Sequence, residues 1–331
     1  MAKNEVMLQT DFGDILNIIE AAKENAYRAV NRELIDMYWR IGEYVSTKVK
    51  NGVWGKNIVS KIADFLQSHH TGNTGFSASN IWRMKQYYET YKDNPILATL
   101  SRELSWSINT RIISCKTEEE REFYLRLASK SKYTYRELLR QINSSLFERT
   151  MISSKTNINA LLIDKYEGLS ALRDSYVLEF LDMPKDYKEK DLRKAIVSNL
   201  KDFILEFGKD FTFVGEEYRV QVGDTDFFID LVFYNRELNC LVAVELKRED
   251  FKPDHIGQMQ FYLAALDNDI KKKNENPSVG LILCSSKNNM IVEYALQKSL
   301  APSLVAAYEF VLPKKELLQQ KLTEIKMLTE N

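Results

Sequence analysis

Three charged side chains lie inside two strongly apolar stretches of the sequence. Asp230 interrupts the apolar run 227–234, while Glu245 and Lys247 end the apolar run that begins at Cys240. Burying an unpaired carboxylate or ammonium group costs several kcal/mol even after the surroundings relax, so each charge needs a compensating partner. For two carboxylates in such a setting, the simplest partner is a metal ion.

The spacing of these charges predicts a shared site. Side chains alternate across a strand, so Glu245 and Lys247 point to the same face, and the connection between the two runs is short enough for a hairpin that brings Asp230 close to them. Carboxylate oxygens are ligands that Mg²⁺ or Mn²⁺ accepts, and Lys247 could orient a water or stabilise charge on phosphorus oxygens. The predicted chemistry is phosphodiester hydrolysis, and a structural salt bridge is the alternative.

Further candidates surround this hairpin. Gln258 and Tyr262, four residues apart on a predicted helix, share one helix face and could contact the substrate backbone or orient a ligand. Glu206, on a helix before the sheet, could supply another carboxylate to the metal, or it could be a solvated helix charge. Arg248 and Lys252 could contact phosphates as plain charges, although solvated surface is the commoner fate of such residues.

The elements that must position these residues alternate between helical and strand periodicity. A helix is predicted over 192–207, where Gly208 stops it. Strands are predicted over 211–214, 218–222, 227–234, 240–247, 279–284 and 304–310, and further helices over 253–266, 289–299 and 314–328. This order predicts an α/β domain with a mixed sheet in residues 160–331.

The first half of the chain has only helical periodicity. Residues 10–50 predict one long or two consecutive amphipathic helices, and helices follow over 54–66 and 80–91. Thr117 and Glu120 form a capping box before another helix, and the run 135–147 continues in the same style. An all-helical domain is therefore predicted over residues 1–149, followed by a polar linker over 150–159.

The helix predicted over 80–91 follows a polar loop, and Ser77 or Ser79 could cap it. Helix, turn and helix is the order found in helix-turn-helix DNA readers, where the second helix enters the major groove. Arg83, Lys85 and Tyr87 on this second helix are the candidates for DNA contact. A helical hairpin used for packing or dimerisation explains the order about as well.

Composition and charge narrow the class of protein. The chain has 331 residues, 44% hydrophobic and 28% charged, which suits two globular domains. No run approaches the roughly 18 apolar residues of a membrane span, and the polar start lacks the features of a secretory signal, so a cytoplasmic protein without membrane contact is predicted. Cys115, Cys240 and Cys284 suit reduced core thiols.

Charge is shared unevenly between the two halves. Residues 1–150 contain 22 Lys and Arg against 18 Asp and Glu, whereas the remainder contains 24 against 29, for a net charge of -1. Phosphate binding depends on local basic patches, so the N-terminal half is the better candidate for docking nucleic acid. Ordinary surface charge is the alternative.

The sequence around the charged hairpin also resembles a known family. The relevant stretch is DFFIDLVFYNRELNCLVAVELKREDFKPDHIGQMQFYLAALD, with DFILEFGKDFTFVGEEYRV before it and NPSVGLILCSSKNNMIVEYAL after it. It resembles the PD-(D/E)xK nuclease superfamily, and more closely its YhcG-like branch, bacterial proteins with a helical N-terminal domain of unassigned role. VWGKNIVSKIADFL, GFSASNIWRMKQYYETY and YRELLRQINSSLFER extend the resemblance into the first half.

The resemblance implies a restriction-endonuclease-like fold and a role for each candidate. Asp230 and Glu245 correspond to metal ligands, and Lys247 corresponds to the catalytic lysine. Gln258 and Tyr262 form the Gln-x-x-x-Tyr element, and Glu206 would be the helix-borne acid. Ile229 stands where the family has proline, a position that serves backbone shape and not chemistry.

The predicted function is that of a Mg²⁺-dependent deoxyribonuclease, with Mn²⁺ as a substitute ion, acting on branched or foreign DNA in repair, recombination or defence. One alternative is a catalytically silent DNA-binding or assembly subunit of a restriction or defence system. A structural homo-oligomer formed through the helical domain is the other alternative.

Overall fold

The computed structural model describes residues 2–52, 56–69, 74–156, 172–297, 299 and 301–329. Its contacts divide the chain into two compact units, Met1–Leu139 and Arg140–Asn331. This division precedes the predicted domain end at residue 149, because Arg140 and Arg149 both form ion pairs with Glu206 inside the second unit. The predicted linker 150–159 is helical as far as Thr156, and its last three residues lie outside the described ones.

The first unit is helical, as predicted. Its helices are α1 (Ala2–Lys50), α2 (Lys56–His69), α3 (Ala78–Tyr91), α4 (Pro95–Ser101), α5 (Trp106–Ile112), α6 (Glu118–Ser131) and the start of α7 (Tyr135–Asn143). Residues 10–50 form one helix, and the predicted helix start at Trp54 lies outside the described residues. The Ser77 side chain caps α3, and the Thr117 side chain caps α6.

Helices α1 and α3 pack closely around an aromatic core. A Cβ atom at Gly42 would lie 2.1 Å from the Met84 carbonyl oxygen, so only glycine permits this approach. The Trp106 ring lies 4.5 Å from Tyr38 and 5.5 Å from Tyr87, measured between ring centroids. Such aromatic contacts, together with the area they bury, stabilise the unit.

The expectation that Tyr87 is exposed for DNA contact is wrong. Tyr87 is fully buried, and its hydroxyl group hydrogen bonds to Ser101. Of the other two candidates, Arg83 is exposed, whereas Lys85 is half-buried and pairs with Glu89 at 2.6 Å. The structure does not establish the predicted helix-turn-helix. Part of the connection between α2 and α3 lies outside the described residues.

The second unit is the predicted α/β domain with a mixed sheet. Its strands are β1 (Ser175–Val177), β2 (Phe211–Val222), β3 (Thr225–Asn235), β4 (Cys240–Lys247), β5 (Val279–Cys284) and β6 (Ser303–Glu309). The sheet order is β1-β6-β5-β4-β3-β2, in which β2, β3 and β4 are antiparallel neighbours and β4, β5, β6 and β1 are parallel neighbours.

Helices cover both faces of this sheet. They are α9 (Glu189–Ser198), α10 (Leu200–Phe207), α11 (Asp254–Ala265) and α12 (Asn289–Leu296), while α8 (Leu146–Thr156) and α13 (Lys315–Thr329) pack against each other. Residues of α9 and α10 join one apolar core with Leu231 and Val244, and residues of α11 and α12 join the other with Val232 and Ala243. Because side chains alternate between the two faces of β3 and β4, each strand contributes residues to both cores.

Three details of the second unit differ from the predictions. The two strands predicted over 211–222 are one strand with a register shift between Phe213 and Gly215. The single helix predicted over 192–207 is two helices separated at Asn199, and β1 was not predicted because three residues carry too little periodicity. The order of the central strands and helices is as predicted.

Two predictions concern the whole chain. All three cysteines are buried thiols, as the sequence predicts. Within the described residues, no helix is long and apolar enough to cross a membrane.

Candidate active site

The hairpin of β3 and β4 brings the charged residues together. The strand register pairs Leu231 with Val244, so Asp230 and Glu245 follow at the same level on neighbouring strands. Asp230 Oδ2 accepts a hydrogen bond of 3.0 Å from the Leu246 amide, which fixes the carboxylate against β4. The two acids are therefore held side by side by the backbone pairing of β3 with β4.

Glu245 is the centre of the cluster. Lys247 Nζ donates to Glu245 Oε1 at 2.9 Å, and Gln258 Nε2 donates to the same oxygen at 3.0 Å. Gln258 Nε2 also lies 2.9 Å from the Tyr262 hydroxyl oxygen. The structure thus brings together the five side chains that the sequence analysis placed in one site.

The second carboxylate oxygen of Glu245 has no such contacts. Oε2 is buried and has no hydrogen-bond partner among the residues that the structure describes. Burial raises the pKa of Glu245 to about 7, the charge of Asp230 adds to this effect, and Lys247 opposes it. The Glu245 carboxylate is therefore short of compensating positive charge.

Lys247 keeps its proton. Burial alone would lower the pKa of Lys247, but the adjacent Glu245 carboxylate outweighs burial, so this pKa is raised. The side chain is an ammonium group that donates to Glu245.

These features fit a divalent cation. A buried oxygen without a donor and an excess of carboxylate charge are what a hard cation satisfies. The donor set is small, since the described ranges contain no group of three or more His, Cys, Asp or Glu side chains arranged to hold a metal. Glu245 and Asp230 are the residues that would hold the ion, with water and phosphate oxygens completing its shell.

Glu206 does not join this cluster. It is fully buried, and its Oε2 pairs with Arg140 at 2.8 Å and Arg173 at 3.2 Å. Its Oε1 accepts from Arg149 and from the Val177 amide, both at 3.0 Å. Because Glu206 is buried and both oxygens are engaged, the expectation of a solvated helix charge is wrong, and the structure does not bring Glu206 together with the predicted metal ligands Asp230 and Glu245.

Two residues that sequence reasoning missed lie beside the site on α9. Arg193 Nη1 donates to Asp230 Oδ1 at 2.8 Å, and its Nη2 contacts Glu217. Glu189 Oε1 accepts from the Arg248 amide at 3.0 Å, and the Glu189 charge contributes to the raised pKa of Glu245. Arg193 resembles an ordinary charge of the helix predicted over 192–207, and Glu189 precedes that predicted helix, so only the packing of α9 against β4 reveals them.

Arg248 and Lys252 lie just beyond β4 and are exposed. Arg248 Nη2 donates to Asp186 at 3.0 Å, and its guanidinium lies 5.4 Å from the centre of the Tyr187 ring. Lys252 pairs with Glu249. Exposed pairs of this kind are weak, so both side chains stay available to phosphates.

We expect Gln258→Ala to weaken divalent-cation binding by about 10- to 100-fold, the usual cost of losing a group that orients a metal ligand. The substitution removes the hydrogen bond that holds Glu245 Oε1. Calorimetric titration with Mg²⁺ and Mn²⁺ measures the effect. Gln260→Ala is the matched control, because Gln260 lies on the same helix but donates to Ser299. Equal affinities for the two variants would contradict the expected role of Gln258.

Comparisons with known proteins find two matching family models and a similar protein. Residues 169–323 match the family model for the YhcG PDDEXK nuclease domain, and residues 14–149 match that for the DUF1016 N-terminal domain. The protein called "Putative nuclease YhcG" from Escherichia coli (strain K12) is 29% identical over 353 aligned positions, which cover 96% of this chain and 94% of that protein.

Two solved structures are also similar over part of the chain. A repair endonuclease from Pyrococcus abyssi is 18% identical, with a TM-score of 0.26 over 40% of this chain and 50% of that one. EndoMS in its apo form is 17% identical, with a TM-score of 0.26 over 40% of this chain and 49% of that one.

Proposed function

The chain belongs to the YhcG-like PDDEXK nucleases with a DUF1016 N-terminal domain, and from this premise we propose that it is a Mg²⁺-dependent deoxyribonuclease. The observation that carries the proposal is the buried Glu245 Oε2, which lacks a hydrogen-bond partner within the described part of the chain and lies in one cluster with Asp230 and Lys247. PDDEXK nucleases generally use divalent metal ions, and Mn²⁺ is expected to replace Mg²⁺ here.

Each side chain of the site has a distinct part in the proposed reaction. Asp230 and Glu245 would hold a divalent cation, which would supply Lewis-acid polarisation and lower the pKa of a water. Lys247, as an ammonium donor, stabilises the charge that develops on the phosphoryl oxygens. Gln258 orients Glu245, while the Leu246 amide and Arg193 orient Asp230.

The proposed substrate is DNA, with Arg248 and Lys252 as phosphate contacts beside the site. Branched or foreign DNA, processed in repair, recombination or defence, is the proposed biological target. The proposal of a homo-oligomer rests on apolar residues that α1 leaves exposed, among them Leu16, Tyr27 and Val30, and light scattering of the full chain measures the oligomeric state.

The proposed function is tested by incubating the full chain with plasmid, linear, single-stranded and branched DNA. We expect cleavage with Mg²⁺ or Mn²⁺, no cleavage with EDTA, and loss of cleavage in Glu245→Gln, which keeps the size of the side chain but removes its charge. Undiminished cleavage by Glu245→Gln would overturn the site assignment.

One observation favours the alternative of a catalytically silent subunit. Arg193 already neutralises Asp230 through the 2.8 Å contact, as a guanidinium would in a fold that serves only as a platform. That alternative requires DNA binding without cleavage on every substrate, and calorimetry without a cation signal.

A further inference from the structure

The helical unit contains a cleft of about 640 Å³. Its lining comes from α1, from the segment that connects α4 and α5, and from the connection between α6 and α7. The charged residues of the lining are Arg28, Arg32, Arg102, Lys132, Glu24 and Glu103. We refer to it as the basic cleft, since four cations face two carboxylates.

Three of the four cations are exposed. The side chains of Arg28 and Lys132 are 62% and 74% exposed, and Arg32 is also exposed. Arg28 and Arg32 are four residues apart on α1, so they lie on the same helix face. Arg102 is engaged internally, because it pairs with Asp36 at 2.6 Å and stacks 4.8 Å from the centre of the Trp39 ring.

Glu24 shows where an anion fits in the basic cleft. Its Oε1 accepts from Arg28 and, at 3.4 Å, from Lys132, so one carboxylate oxygen joins cations from two helical segments. The hydrogen bonds from Arg28 and Lys132 lower the pKa of Glu24. Exposed ion pairs are weak and are screened by salt, so a phosphodiester can displace this carboxylate.

We propose that the basic cleft binds the phosphate backbone of the DNA substrate through Arg28, Arg32 and Lys132. This inference rests on the proposed function for the choice of DNA as the ligand. A cleft of about 640 Å³ is larger than a single phosphate group and accommodates a short length of backbone. Tyr135, which is also exposed in the lining, offers a ring and a hydroxyl group to the sugar.

The basic cleft suits this role better than the α3 face that the sequence suggested. On α3, Tyr87 is fully buried and Lys85 is half-buried in a pair with Glu89, which leaves Arg83 exposed. In the cleft, three exposed cations converge on a concave surface, and phosphate neutralisation depends on such local clusters.

The test is the affinity of the full chain for a fluorescent DNA duplex in EDTA, measured by anisotropy over a series of salt concentrations. The double variant Arg28→Gln with Lys132→Gln is expected to bind more weakly, with a slope of log K against log salt that is shallower by about 2, or about 1 per lost phosphate contact. Glu24→Gln releases both cations and is expected to tighten binding several-fold. A purely structural role for Glu24 would not produce tighter binding.

Matched controls come from α6, where Glu122 and Arg126 form an exposed pair with the same four-residue spacing outside the cleft. Glu122→Gln and Arg126→Gln make the same charge changes and are expected to leave affinity and slope near those of the original chain. Equal tightening by Glu24→Gln and Glu122→Gln would overturn the proposal, because net charge would explain both.

The other outcomes are equally decisive. If the slope of log K against log salt falls for Arg83→Gln but not for the cleft variants, DNA binds at α3 and the proposal is overturned. If polyglutamate binds as tightly as DNA, the cleft is a site for acidic peptides and the proposal is also overturned. Glu245→Gln separates this inference from the proposed function, since it is expected to lose cleavage and keep the salt slope. Cleft binding without any cleavage would therefore contradict the proposed function alone.

Discussion

Replacing Lys247 with alanine is expected to slow DNA cleavage by about 100- to 1,000-fold, the usual cost of removing one donor that stabilises transition-state charge. Lys247 is the ammonium group 2.9 Å from Glu245, and its proton is retained because the pKa is raised. Single-turnover cleavage with Mg²⁺ at saturating enzyme measures the chemical step without interference from product release.

Cation affinity separates catalysis by Lys247 from a structural salt bridge. Lys247→Ala removes positive charge beside Glu245, so calorimetry is expected to show Mg²⁺ binding at least as tight as in the original chain while cleavage is lost. Lys23→Ala is the matched control, because that lysine is exposed, pairs with Glu20 and lies outside the site. Cleavage by Lys247→Ala at the rate of the Lys23→Ala variant would favour the salt-bridge alternative.

The strand part of the site could be predicted because strand geometry leaves few choices. Alternation places Glu245 and Lys247 on one face, and a hairpin between two adjacent apolar runs has one compatible register that brings Asp230 beside them. Gln258 and Tyr262 follow from helical spacing once α11 covers the same face. Local periodicity therefore determined these five positions.

The contributions of helices before the sheet could not be predicted in this way. Glu206 and Glu189 are both acids on amphipathic helices, and periodicity does not say which of them faces the hairpin or which faces three arginines. Arg193 was overlooked for the same reason. These outcomes depend on the break at Asn199, which separates α9 from α10.

The buried position of Tyr87 had a signal in the sequence. Ile81, Met84 and Tyr91 are the other buried residues of α3, and their spacing from Tyr87 is that of one helix face. Aromatic residues with a hydroxyl group suit both surface and core when the hydroxyl finds a partner, as Tyr87 does in Ser101. Residue type alone therefore suggested exposure, whereas helical spacing favoured burial.

Replacing Glu206 with alanine is expected to lower the free energy of unfolding of the second unit by about 3–5 kcal/mol, because removing one partner leaves buried charges uncompensated. Arg140, Arg149 and Arg173 all pair with this one carboxylate. Denaturant unfolding of the full chain measures the change. Glu179→Ala is a milder control, since Glu179 is partly exposed and pairs with Arg140 alone among these arginines.

The stability difference between the original chain and Glu206→Gln depends on pH, and this dependence identifies the Glu206 carboxylate charge as the cause of the stabilisation. Burial alone would raise the pKa of Glu206, but Arg173, Arg149 and Arg140 outweigh burial and lower the pKa from 4.5 to about 2. A lowered pKa in the folded state means that the stabilisation is complete above the unfolded value and is lost as pH falls towards the folded value. The stability gap between the original chain and Glu206→Gln should therefore be constant from pH 7 to about 5 and narrow between pH 4.5 and 2.

Cation binding distinguishes this structural role from the metal ligand that the family resemblance implied. If Glu206 only anchors the three arginines, Glu206→Gln should bind Mg²⁺ as tightly as the original chain under conditions where it is folded, although it unfolds at lower denaturant concentration. A variant with unchanged stability and weakened Mg²⁺ binding would instead return Glu206 to the metal site. Replacing Glu206 is expected to lower stability and leave Mg²⁺ affinity unchanged, because Glu206 stabilises the unit. Replacing Gln258 is instead expected to weaken cation binding, because Gln258 holds Glu245.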